Sequence, residues 1–162
     1  MRAALIGCVL CLWAAGEAAA EDGCGRFAWP VDREQELFAD GLFADVESEY
    51  ALPRDGVFAL RLQPVAQVIY MVPPERGRDD GLGGVVTLEW ISAGRWQVTV
   101  SADVWIDAVQ NDHRLTPLAS TARTDCPGIR QSVQFQVDSV PLTLQFGGAS
   151  VKRLNIAVLR AR

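Results

Sequence analysis

From Val57 onward the chain trades apolar for polar residues at every second position, the mark of strands with one buried face. Phe58, Leu60 and Leu62 alternate with Ala59, Arg61 and Gln63, and residues 67–72 make a second run between Pro64 and Pro73-Pro74. Val86, Leu88 and Trp90 fall in phase and mark another strand, with Trp90 and Trp96 on its core side and that of the next. The clearest signal spans residues 95–110. Trp96, Val98 and Val100 alternate with Gln97, Thr99 and Ser101, and a new run opens at Val104 after a break holding Asp103, so the pair reads as a β-hairpin. Asn111-Asp112 supplies a two-residue turn at its far end. Val133, Phe135 and Val137, then Leu142, Leu144 and Phe146, then Leu154, Ile156 and Val158 form three further inward faces. Gln134, Gln136, Thr143 and Gln145 form their solvated outer ladder. About eight short strands spaced by turn residues predict an all-β fold, an antiparallel β-sandwich of jelly-roll type.

Upstream of Val57 the pattern changes. Residues 1–20 have a minimal basic start at Arg2, an apolar stretch over 3–15 and Ala18-Ala19-Ala20, which together predict a signal peptide cleaved after Ala20. Leu5-Ile6-Gly7-Cys8 spells a lipoprotein box, but too few residues precede Cys8 for a basic region and an apolar core. Residues 21–56 then form an acidic N-terminal segment packed on the sandwich of 57–162. One short helix is predicted in it, with Asp32 as cap, Gln35 three residues on as in a capping box, Leu37 and Phe38 as an apolar patch, and Gly41 as the stop. Residues 42–55 read as acidic loop, and the irregular stretch 114–130 holds Pro117, Cys126, Pro127 and Gly128.

Charge and cysteines narrow the classes. Residues 21–55 carry ten acids and three arginines, whereas 56–162 carry nine acids and eleven bases, so the acidity is concentrated in the N-terminal segment. With no basic stripe and a net charge of −5, nucleic acid is excluded as a partner. No apolar run after the signal is long enough to span a bilayer, so no membrane insertion follows cleavage. Cys8 and Cys11 leave with the signal, and Cys24 with Cys126 predict one disulfide in an oxidising compartment, periplasmic or extracellular.

Candidate chemistry is sparse. His113 is the sole histidine and sits beside the Asn-Asp turn, where a triad histidine would not be buried against a nucleophile. One histidine also falls short of a two-histidine iron site, and no Gly-rich loop opens a helix. No cofactor is therefore expected, and no catalytic residue. Asp103, Asp107 and Asp112 are the only grouping for a paired-carboxylate hydrolase. Asp79 and Asp80 are weak calcium candidates, outside any EF-hand spacing and more simply solvated loop acids.

Ligand binding is the stronger expectation, through Trp105 and Asp107. If Val104, Ile106 and Ala108 face the core, Trp105 and Asp107 stand together on the opposite side, an aromatic face beside a carboxylate as a sugar would need. The competing reading buries the strand on both faces, with Trp105 packed under a loop. Trp29, next to Pro30, is expected to dock the N-terminal segment.

Several segments together carry a resemblance: Cys24, Trp29-Pro30-Val31 with Arg33-Glu34, Leu62-Gln63-Pro64, Pro73-Pro74-Glu75-Arg76, Gly83-Gly84, Trp105-Ile106-Asp107 and the run from Cys126 to Val133. They resemble a family of short uncharacterised exported proteins from proteobacteria, some labelled homogentisate 1,2-dioxygenase. That label implies an iron site of histidines and a glutamate, which a single histidine does not supply. The run from Trp96 to Asp107 is also similar in style to accessory β-sandwich domains of secreted enzymes. The resulting expectation is an exported non-catalytic binding module for an envelope or extracellular polysaccharide. Its alternative is a protein-interaction or structural subunit of a periplasmic complex, and a hydrolase or metal-dependent enzyme ranks below both.

Overall fold

The computed structural model describes residues 23–75 and 80–162. The expected signal peptide and Asp79 lie outside the described residues. Strands dominate: β1 (Ala44–Glu47), β2 (Tyr50–Leu52), β3 (Gly56–Arg61), β4 (Gln63–Pro64), β5 (Leu82–Leu88), β6 (Gly94–Val100), β7 (Trp105–Gln110), β8 (His113–Arg114), β9 (Ala119–Ala122), β10 (Gln131–Val137), β11 (Leu142–Ala149) and β12 (Arg153–Arg160). They form two sheets, ordered β1-β3-β12-β6-β10-β9 and β2-β5-β11-β7-β8, with β4 on β5. Both sheets are mixed, because β1 runs parallel to β3 and β2 parallel to β5, where an all-antiparallel arrangement was expected. These two edge strands fall in the stretch 42–55 read as loop. They span only four and three residues, with one buried side chain each, too few to show a period of two.

The alternation is obeyed where the core is. Leu60, Trp96, Val98, Phe135, Leu154 and Ile156 of one sheet meet Val86, Leu88, Ala108, Leu144 and Phe146 of the other in a single buried cluster. Burying such side chains is worth roughly 1.5–3 kcal/mol each and fixes the register, since a one-residue slip would turn every one of them outward.

The predicted hairpin over 95–110 does not exist. β6 pairs with β10 and β12 in the first sheet, while β7 pairs with β11 and β8 in the second. Residues 101–104 cross the core edge instead of reversing within one sheet, and Val104 packs into the core on the way. The true hairpin is β7–β8. Asn111 and Asp112 both adopt positive φ (51° and 59°), as a type I′ turn requires, and pair Gln110 with His113.

The outer face of each sheet is covered, so the expected solvated ladder is corrected as well. Gln134, Thr143 and Gln145 are buried and only Gln136 is exposed. The first sheet is covered by the N-terminal segment, which includes helix α1 (Asp32–Asp40). There Trp29 docks as expected, its Nε1 donating to Ser132 Oγ at 3.0 Å, and Arg33 Nη2 donates to the carbonyl of Arg160 at 2.9 Å. Beneath the segment Gln134 donates to Gln97 at 3.2 Å and Thr99 shares a hydrogen bond with Ser132 at 2.9 Å. Asp32 is the first helical residue and not the cap; Val31 holds that position, and Gly41 ends the helix in the left-handed region (φ 66°). Cys24 and Cys126 are joined by a disulfide, and with Phe27, Val31 and Ile129 they form a second small core under this segment. Such a bridge is compatible with an oxidising compartment.

The second sheet is covered by a strap over residues 65–75. Here a strand was expected over 67–72; instead Val65–Gln67 form a single 3-10 turn and the chain then crosses the face of the sheet. Its alternation is real, with Ile69 and Met71 outward (72% and 49% exposed). The backbone of Val72 bonds a side chain, however, not a neighbouring strand: Gln145 accepts from the Val72 N–H at 3.0 Å and donates to its carbonyl at 2.9 Å. Trp90 is likewise not core. β5 ends at Leu88, the Glu89 N–H donates to Leu52, and Trp90 lies beyond the sheet, 75% exposed; Trp96 is buried as expected.

Candidate functional site

Trp105 and Asp107 share the outer face of β7, two residues apart, as the pattern predicts. They face neither open solvent nor a closed interior. Across the sheet, Gly147 of β11 is the partner of Trp105 and Gln145 the partner of Asp107. A side chain at Gly147 would run into the Trp105 indole, which lies over the Gly147-Gly148 backbone. Gly83, on β5 beside Gly147, leaves room in the same way for the hydroxyl of Tyr70. Tyr70 comes from the strap, donates to the carbonyl of Phe146 at 3.0 Å and sets its ring 5.4 Å from that of Trp105, tilted 46°. Two adjacent glycines thus make the recess that two aromatic rings fill. The indole N–H of Trp105 is buried there with no hydrogen-bond partner among the described residues.

Asp107 is held by Arg114. The two-residue turn sets Val109 opposite Arg114, which puts Arg114 on the outer face diagonally across from Asp107. Its Nε lies 2.9 Å from Asp107 Oδ2, its Nη1 2.7 Å from Glu75 Oε1, and its Nη2 donates to the carbonyl of Pro73 at 2.6 Å. The Arg114 and Asp107 side chains are only 18% and 16% exposed, so the pair is fixed, whereas Glu75 is 78% exposed. Burial, then the Asp107 charge, push the Tyr70 phenol up to about 12.

These groups border a cleft of about 230 Å³ where the two sheets part. Trp105, Ile106, Asp107 and Arg114 line it from one sheet, Ser120, Gln131 and Val133 from the other, and Pro117 and Glu75 close it. Drug-sized ligands occupy about 300–1,000 Å³, so this cleft suits one ring or one side chain of a larger molecule. A hollow of about 380 Å³ between Asp45, Arg61, Lys152 and Arg153 is larger. Its arginines are 69% and 54% exposed, which leaves its walls unfixed. A recess beside the buried Glu34 holds only about 10 Å³, room for one water.

The remaining sequence candidates are not brought together. Asp103 pairs with Arg130 at 3.4 Å, Asp107 with Arg114, and Asp112 sits exposed in the turn. His113 is exposed, with Nδ1 2.6 Å from the Asn111 carbonyl. Asp80 begins the approach to β5, and among the described residues no three His, Cys, Asp or Glu side chains gather as metal ligands. No helix among them is long and apolar enough to cross a membrane. Tyr70, Glu75 and Arg114 escaped the sequence reading, although the Asn111-Asp112 turn already implied which face Arg114 takes. No family model, curated protein or solved structure matches the chain.

Proposed function

We propose that this is an exported, non-catalytic binding module that holds one ring of an envelope or extracellular polysaccharide in the Trp105–Asp107–Arg114 cleft. The observation that carries the reading is the cleft itself: an indole and aliphatic floor beside a fixed ion pair, with Ser120 and Gln131 opposite as hydroxyl partners. Sugars are recognised by this combination of an apolar ring face and placed polar groups. Export is supported by the signal-like residues 1–20 together with the disulfide.

The strand order supports a β-sandwich of jelly-roll type. Counting β3, β5, β6, β7, β8, β10, β11 and β12 as one to eight, the sheets run 1-8-3-6 and 2-7-4-5, with successive strands mostly changing sheet. That is the winding of two Greek keys.

The test is affinity electrophoresis through gels carrying cell-wall or capsular polysaccharides. Wild type is retarded by at least one of them, and Trp105→Ala, checked by circular dichroism to be folded, is not; equal mobility of both in every gel rejects the reading. The second reading, a protein contact within an envelope complex, is favoured by Trp90, 75% exposed just past the end of β5. Crosslinking in cells that depends on Trp90 and not on Trp105 would establish it.

A further inference from the structure

We propose that the cleft selects sugars bearing a carboxylate, and that this carboxylate takes the place of Glu75 on Arg114. The inference rests on the glycan-binding reading and adds the chemical class of the ligand.

Arg114 presents a planar fork of donors whose partners are unequally held. The Asp107 carboxylate on β7 lies 2.9 Å from Nε as an ion pair without hydrogen-bond geometry, the Pro73 carbonyl accepts from Nη2 at 2.6 Å, and these two contacts hold the guanidinium whatever occupies the cleft. The third partner, Glu75, reaches Nη1 at 2.7 Å from the end of the strap with its side chain 78% exposed. An ion pair so exposed is weakly held, and its carboxylate is the one partner that can leave without unburying anything. Glu75 also borders the cleft, so the site it vacates opens onto the ligand. A carboxylate arriving on a sugar ring restores the same charge and the same bond, so exchange alters neither the charge balance around Arg114 nor the Asp107 pair. A neutral ring leaves Glu75 in place and gains nothing from Arg114. The adjoining Trp105, Pro117 and Val133 favour a ring over an extended peptide end, and Ser120 and Gln131 stand where ring hydroxyls would meet them.

The experiment titrates the full chain with a short oligogalacturonate, with the same oligomer methyl-esterified, and with N-acetyl-alanyl-alanine as a peptide carboxylate. The acid form is expected to bind several-fold to about tenfold tighter than the ester, the weight of a hydrogen bond to a charged group less that of the exposed Glu75 pair it displaces. Glu75→Gln should widen that ratio by up to about fivefold, the range of an exposed ion pair. Arg114→Lys, which keeps the charge but not the fork, should narrow it. Equal binding of acid and ester by wild type and Glu75→Gln overturns the carboxylate preference and leaves the glycan reading standing. Tighter binding of the peptide than of the acid overturns the sugar assignment, and binding of neither oligomer by any folded variant overturns the carboxylate preference, the glycan reading being decided separately by the electrophoresis.

Discussion

The indole of Trp105 occupies the space a side chain on Gly147 would need. Glycine inside a strand costs stability unless something approaches the backbone closely, and here the approaching group is the ring that lines the cleft. Gly147→Ala should therefore push the indole away from the sheet, costing about 1–3 kcal/mol as overpacking does and shifting Trp105 fluorescence to the red. Unchanged melting temperature and emission would show that the ring sits elsewhere.

Gln145 anchors the strap through both polar groups of Val72, and it is fully buried. Gln145→Leu keeps the volume and strips the two bonds, leaving a backbone N–H and carbonyl unpaired. A loss of about 1–3 kcal/mol is expected for each group left buried and unsatisfied. Amide exchange should rise over residues 68–75 before the rest of the sheet responds, whereas uniform exchange would count against the strap as a separate layer.

Tyr70 gives the site a high-pH signature. Its phenol titrates at about 12 in the folded chain because burial, then the Asp107 charge, disfavour the phenolate. The unfolded chain releases that proton near the ordinary value of roughly 10. Stability from this group is thus complete below pH ~10 and is lost as pH rises through ~12. Tyr70→Phe should remove the part of the alkaline stability loss that falls in this window. Asp107→Asn should bring the Tyr70 ultraviolet titration down; a Tyr70 that titrates identically in both backgrounds contradicts the placement of Asp107 beside it.

Cys24 and Cys126 close a loop of about 100 residues, for which the chain-entropy argument gives roughly 4–5 kcal/mol. Neither cysteine belongs to the main core, so reduction should act first on the small core of Phe27, Val31 and Ile129. Protection of the Gln97 and Gln134 amides should fall less than that of residues 24–40. Free thiols in the protein purified without reductant would remove the prediction's basis.

The sequence made the inward faces readable and the partners unreadable. Phe135, Leu144 and Ile156 announce strands because one buried face imposes a period of two on any strand, whatever it pairs with. The same period is why Trp96 and Trp105 looked like two arms of one hairpin: alternation reports burial, not which sheet a strand joins. The buried Gln134 and Gln145 misled for a related reason. Polar residues at alternate positions signify solvent only when no further layer covers the sheet, and the two covers here are an N-terminal segment and a strap whose own alternation over residues 68–72 reads as one more strand. At the site, Trp105 and Asp107 were legible as a pair on one face, whereas Tyr70 and Glu75 arrive from the strap. Arg114 lay within reach, since a two-residue Asn-Asp turn fixes its register.

The most direct test of the binding reading is a nuclear magnetic resonance titration of the full chain with the polysaccharide fragment that retards it most, following the Trp105 indole N–H and the Arg114 Nε–H. The account predicts saturable shifts at both, and at Ser120 and Gln131 across the cleft, with none at Trp90. Saturable shifts confined to Trp90 and the outward strap residues Ile69 and Met71, with the cleft signals unmoved, would contradict it.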